Sequence, residues 1–85
     1  MTYRVDIVRA ALKQLTRLPA SVRVSCDRAI LSLADEPRPH GCRKIAGSAA
    51  DWRIRVGVYR VIYEVDDKSA VVRIMRVRHR RESYR

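Results

Sequence analysis

The chain has 85 residues, with nineteen Lys and Arg against nine Asp and Glu and a formal net charge of +10. That length supports one modest core and excludes two domains, and 47% hydrophobic residues exclude a disordered chain in spite of the charge. No stretch approaches the roughly eighteen uncharged apolar residues of a membrane span, and Arg4, Asp6 and Arg9 interrupt any signal-peptide apolar region, so a single soluble, cytoplasmic domain over 1–85 is expected.

Tyr3, Val5 and Ile7 alternate with Arg4 and Asp6, the period-two pattern of a strand with one buried face. The period then changes: Val8, Ala11, Leu12, Leu15 and Leu18 fall at helical spacing, and Pro19 ends that helix. A second helix follows at once, with Pro19 in its first turn and Val22, Cys26, Ala29, Ile30 and Leu33 on its apolar side. Residues 35–41 hold two prolines and a glycine and read as a loop. A short extra strand fits around 43–46. Trp52, Ile54 and Val56 then alternate with Arg53 and Arg55, Gly57 permits a tight turn, and 58–65 form the next strand. Asp66, Asp67, Lys68 and Ser69 make a hairpin turn by composition, leading into a strand over about 70–77. The basic segment 78–85 reads as a short tail helix or a loop.

The order β-α-α-β-β-β predicts an α+β fold in which a two-helix hairpin packs on one face of a small, mainly antiparallel sheet. The other sheet face then has no second layer. Trp52, Ile54, Val56, Tyr59, Val61, Tyr63 and Val65 belong to the helix side, which sends Arg53, Arg55 and Arg60 to the open side. The last strand stays undecided, because Val72 and Ile74 share a parity with Arg76 and Arg78, while Val71, Met75 and Val77 share one with Arg73.

Sixteen of the nineteen basic residues are arginine. The guanidinium fork matches phosphate oxygens, although GC-rich codon usage produces the same bias. Charge is denser in the second part of the chain: nine basic against four acidic residues in the first fifty, ten against five in the last thirty-five. Arg53, Arg55 and Arg60 converge on one face, and Arg76, Arg78, His79, Arg80 and Arg81 leave the last strand nearby. Guanidiniums gathered in this way repel one another unless an anion neutralises them, and an oligophosphate backbone is the natural candidate. Cys26 and Cys42 read as reduced thiols, His40 as an exposed loop residue, and no cluster has metal-ligand spacing.

The run Trp52-Arg53-Ile54-Arg55-Val56-Gly57-Val58-Tyr59-Arg60-Val61-Ile62-Tyr63-Glu64-Val65-Asp66-Asp67, followed by Val77-Arg78-His79-Arg80-Arg81-Glu82-Ser83-Tyr84-Arg85, resembles the RelE/ParE toxin superfamily of bacterial type II toxin–antitoxin modules, and RelE most of all. The resemblance covers essentially the whole chain, including Lys44-Ile45-Ala46-Gly47. It implies a ribosome-dependent endoribonuclease that enters the decoding site of the small subunit and cuts mRNA there by attack of a ribose 2′-hydroxyl on the adjacent phosphate. It implies no cofactor and no metal. The implied partners are a cognate antitoxin, the ribosome and mRNA, with operator DNA met only through the antitoxin, and no membrane.

Carried over by position, the resemblance makes Arg60 the phosphate clamp, places Arg80 near the leaving group and Tyr84 as a base-stacking aromatic, and gives Arg53 and Arg55 the two basic positions of their strand. Arg76, Arg78 and Arg81 would add contacts to the RNA backbone. RelE toxins carry lysines where this chain has Arg53 and Arg55, and an arginine does not give up its proton in a protein. His79 is therefore the candidate acid or base, against a structural hydrogen-bonding role. Two other readings compete: a ParE-like poison of DNA gyrase with the same fold, and a non-catalytic RNA-binding domain.

Overall fold

The structure, a computed structural model, describes residues 2–47 and 51–81. Its elements are β1 (Arg4–Ile7), α1 (Arg9–Thr16), α2 (Ala20–Ser32), β2 (Arg43–Lys44), β3 (Asp51–Val56), β4 (Tyr59–Asp66) and β5 (Val71–His79). The two helices lie on one face of a five-stranded sheet of order β1-β5-β4-β3-β2. Neighbours are antiparallel except β1, which runs parallel to β5, as a strand joined to its partner through a long crossover can.

Pro19 sits at the N-cap of α2, where its missing N–H costs nothing, and its carbonyl accepts the first helical bond from Arg23 N–H at 2.9 Å. Ala11 and Leu15 of α1, with Cys26, Ile30 and Leu33 from α2 and its C-terminal end, press onto Ile54, Val61, Tyr63, Val72, Ile74 and Val77. Burying one Leu or Ile of this set contributes about 1.5–3 kcal/mol. Cys26 and Cys42 are free thiols, and burial pushes the Cys26 thiol up. Leu12, expected on the apolar stripe, is exposed: it lies about a hundred degrees around α1 from Ala11, the residue that faces the sheet.

The undecided strand is settled by a bulge. Ile62 pairs with Arg76 and Tyr63 pairs with Ile74, leaving Met75 without a partner. Val72 and Ile74 face the helices before the bulge, and Val77 and His79 after it. Arg73, Arg76 and Arg78 all take the open face. The bulge also carries β5 on to His79, beyond the expected end near 77, so the tail begins later than the sequence suggests. Arg80 and Arg81 form a turn, and the rest of the proposed tail element, Tyr84 included, lies outside the described residues.

The loop between α2 and β2 is fixed by polar contacts to the far end of the sheet. Tyr63 Oη donates to the Pro37 carbonyl at 2.8 Å, and Arg38 reaches Asp67 through both terminal nitrogens at 3.2 and 2.9 Å. Tyr3 Oη donates to the same carboxylate at 2.7 Å, and the Arg38 guanidinium lies 5.3 Å from the centre of the Trp52 ring. The Arg38 and Tyr3 donors hold the Asp67 carboxyl below the usual carboxylate range. A depressed carboxyl favours the folded state above its unfolded pKa of about 3.9, and that contribution is lost as pH falls through the folded value. In urea melts, Asp67→Asn should therefore be less stable than wild type near neutral pH, and the gap should close below about pH 4. Curves that stay parallel down to pH 2 would contradict this clamp.

Candidate nucleic-acid interface

The open face is organised in rows across the sheet, because residues directly opposite one another in a ladder share a face. The row nearest the β3–β4 turn is Arg55, Arg60 and Arg78; the next is Arg43, Arg53, Ile62 and Arg76. The third holds Asp51, Glu64, Arg73 and Asp6, and here Arg73 meets Glu64 at 3.2 Å. The face thus runs from a net acidic row to an all-basic one. Among the described residues, no carboxylate lies within salt-bridge distance of Arg53, Arg55, Arg76 or Arg78. Like charges set directly opposite repel one another, so a row of three arginines suits an anion.

Arg60, at the centre of that row, is 4% exposed. The Nε of Arg78 beside it is buried without a hydrogen-bond partner among the described residues. A cavity of about 70 Å³ opens at the end of the row, lined by Arg55, Gly57, Val58, Tyr59, Arg60 and Arg80. The tight turn makes it possible: Val56 and Tyr59 are paired, and Gly57 takes φ +60°, the conformation demanded of the first central residue of a two-residue hairpin. The Val58 carbonyl accepts the Arg80 N–H at 2.7 Å, which draws the end of β5 over the turn and brings Arg80 to the cavity.

The sheet does not bring His79 to these arginines. It pairs with Tyr59 on the helix side, the two rings meeting edge to face with centroids 5.3 Å apart, and it lines a separate pocket with Gln14, Arg17 and Leu18. Its Nδ1 accepts the Arg81 N–H at 3.2 Å, which leaves Nε2 to carry the proton of the neutral ring. Arg81 itself is exposed on the turn. Sequence reasoning missed Gly57 and Val58 as cavity walls. It also missed Gln14, whose Oε1 accepts the Val77 N–H at 2.7 Å where β5 has run past the end of β1.

The sequence profile of the family described as ParE toxin of type II toxin-antitoxin system, parDE, matches residues 5–84. The chain belongs to the RelE/ParE toxin superfamily. It is 34% identical over 89 residues to Toxin RelG of Mycobacterium tuberculosis, the alignment covering 100% of this chain and 99% of that one. It superposes on a chain of the archaeal RelE–RelB complex from Pyrococcus horikoshii OT3 with a TM-score of 0.84 at 34% identity, covering 94% of this chain and 97% of the other. A chain of the toxin–antitoxin complex RelBE2 from Mycobacterium tuberculosis gives 0.82 at 27% identity, with 93% and 99% covered. The α+β architecture is accordingly that of RelE toxins, and the protein is a toxin of a type II toxin–antitoxin system.

If this face of the toxin holds phosphates, its affinity for single-stranded RNA should fall steeply with salt, by roughly 0.7 log units per tenfold salt for each phosphate neutralised. Arg55→Ala and Arg78→Ala should each shallow that slope by about one contact in fluorescence anisotropy titrations. Arg23→Ala, on the helix side, should leave it unchanged. Equal slopes for all three would refute the assignment of the face.

Proposed function

We propose that this toxin is a ribosome-dependent mRNA endoribonuclease that arrests translation, and that its arginine face holds the scissile phosphate. The observation that supports this most is the convergence of Arg55, Arg60 and Arg80 on one small cavity at the end of an all-basic row. The reaction is attack of the ribose 2′ oxygen on phosphorus with departure of the 5′ oxygen, giving a 2′,3′-cyclic phosphate and a 5′-hydroxyl. Negative charge grows on the equatorial phosphate oxygens as the phosphorane forms. Fixed guanidiniums at Arg55 and Arg60 stabilise that charge more than they stabilise the ground state, and Arg80 offsets the charge on the departing oxygen.

Arginine cannot remove the 2′-hydroxyl proton, and His79 lies across the sheet, so the described part of the face acts by orientation and electrostatics. The proton passes to water, and water returns one to the 5′ oxygen. Tyr84 is proposed to stack on a base at the scissile step, and Arg53, Arg76 and Arg81 to hold the flanking backbone. His79 then serves as a support for Tyr59 and the 80–81 turn.

The protein is proposed to act in the cytoplasm and to be held inactive by a cognate antitoxin. Its relative from Pyrococcus horikoshii is described as a RelE–RelB complex and that from Mycobacterium tuberculosis as a toxin–antitoxin complex. The second reading is action on DNA gyrase, which the ParE description of the matching family favours. Primer extension on mRNA from translation reactions separates the two. New 5′ ends should appear only with translating ribosomes, and Arg60→Ala or the exposed Arg80→Ala should reduce them about 10²–10³-fold while the variants still melt cooperatively. Intact mRNA together with inhibited gyrase supercoiling would overturn the nuclease reading in favour of the gyrase one.

A further inference from the structure

A groove of about 390 Å³ runs along the outer edge of β3. Ala29 and Ser32 of α2 wall one side, Pro39 and His40 the other, and Ile54 and Arg55 form the floor. Its volume falls within the roughly 300–1,000 Å³ typical of small-ligand sites. Arg55 lines both this groove and the cavity at the end of the arginine row, so one residue borders the two.

Two features suit the groove to a flat heterocycle. The first is a backbone edge. Arg43 pairs with Arg53, and the Ile45 N–H donates to the Asp51 carbonyl at 2.9 Å, so the amides and carbonyls of alternate β3 residues point toward β2. By the same alternation the N–H and C=O of Arg55 point that way too, past the beginning of β2, and offer a donor and an acceptor side by side at the floor. The second is an aromatic wall set in a fixed loop. His40 sits between anchors: Pro37 and Arg38 are tied to Tyr63 and Asp67 before it, and the Cys42 N–H donates to the Pro39 carbonyl at 3.0 Å around it. Gly41 supplies the φ of +91° that this turn requires.

We infer that this groove is a nucleobase subsite, resting on the RNA reading above: it holds the base of a nucleotide adjoining the phosphate in the arginine row, with its edge on the Arg55 backbone and its face on His40. A strand edge also accepts an extended peptide. The shared Arg55 favours a nucleotide, because that one residue then meets phosphate with its guanidinium and base with its amide. Stacking of this kind tolerates any base, while the backbone pair discriminates between edges.

The test uses a fluorescein-labelled hexaribonucleotide and six versions of it, each with one abasic residue, in anisotropy titrations at low salt. For wild type, removing the base at one position should weaken binding about tenfold. In His40→Ala, and in Ser32→Trp, which fills the groove from an exposed helix position, that loss should shrink to within about twofold. A profile that is flat in wild type, or that persists unchanged in both folded variants, would overturn the subsite while leaving an Arg80-dependent affinity for the intact oligonucleotide in place. Affinity that ignores Arg80→Ala would instead remove the RNA reading on which the subsite rests. An acidic peptide that binds wild type and not Ser32→Trp, alongside a flat abasic profile, would assign the edge to a peptide.

Discussion

Met75 has no partner in β4, and from that one extra residue the sidedness of the rest of β5 follows. Continued without a bulge from Ile74, the strand would turn Arg76 and Arg78 into the helix-side core and Val77 out to solvent. Burying two unpaired guanidiniums costs several kcal/mol each, far more than the local loss of one ladder position at the bulge. The bulge therefore resolves a conflict between charge and strand parity. Its product is a sheet with a mainly apolar face toward the helices and an increasingly basic face away from them.

The gradient on that basic face has a simple origin in the order of the strands. β4 lies between β3 and β5, so the position opposite Arg60 is filled from both sides, by Arg55 and Arg78. Two rows further along, Asp51, Glu64 and Asp6 share the face with Arg73, and the row is net acidic. Arginines thus gather without an intervening carboxylate in the sheet row that ends where the Gly57–Val58 turn and the Arg80 N–H close a small cavity. The repulsion within the row is local, and so is the place that suits a phosphate. The Arg38–Asp67 clamp works at the other end of the sheet, holding the loop that carries His40 against β3.

Much of this is legible in the residues themselves. The alternation from Trp52 to Val65 assigns both faces of β3 and β4 correctly, and the period change at Val8 with Pro19 marks the helical hairpin. The resemblance to RelE-type toxins also holds along nearly the full chain. What the residues conceal is the bulge, since a one-residue insertion leaves two apolar parities in one strand and no local signal says which wins. His79, next to Arg78 in sequence, falls on the opposite face from it because a strand alternates, whichever parity the bulge selects. Arg55 facing His40 across a groove is equally invisible, because the two meet only once β2 stops short and leaves the β3 edge open.

The central claim, that RNA is held on the arginine face at the end of the Arg55, Arg60 and Arg78 row, is tested most directly by NMR. The arginine Nε–Hε and backbone amide resonances would be followed while a 2′-deoxy-substituted, uncleavable oligonucleotide is added. Arg55, Arg60, Arg78 and Arg80 should shift together with the Gly57 and Val58 amides, while Arg17 and Arg23 on the helix side stay still. Shifts concentrated on the helices, or spread evenly over all arginines, would contradict it.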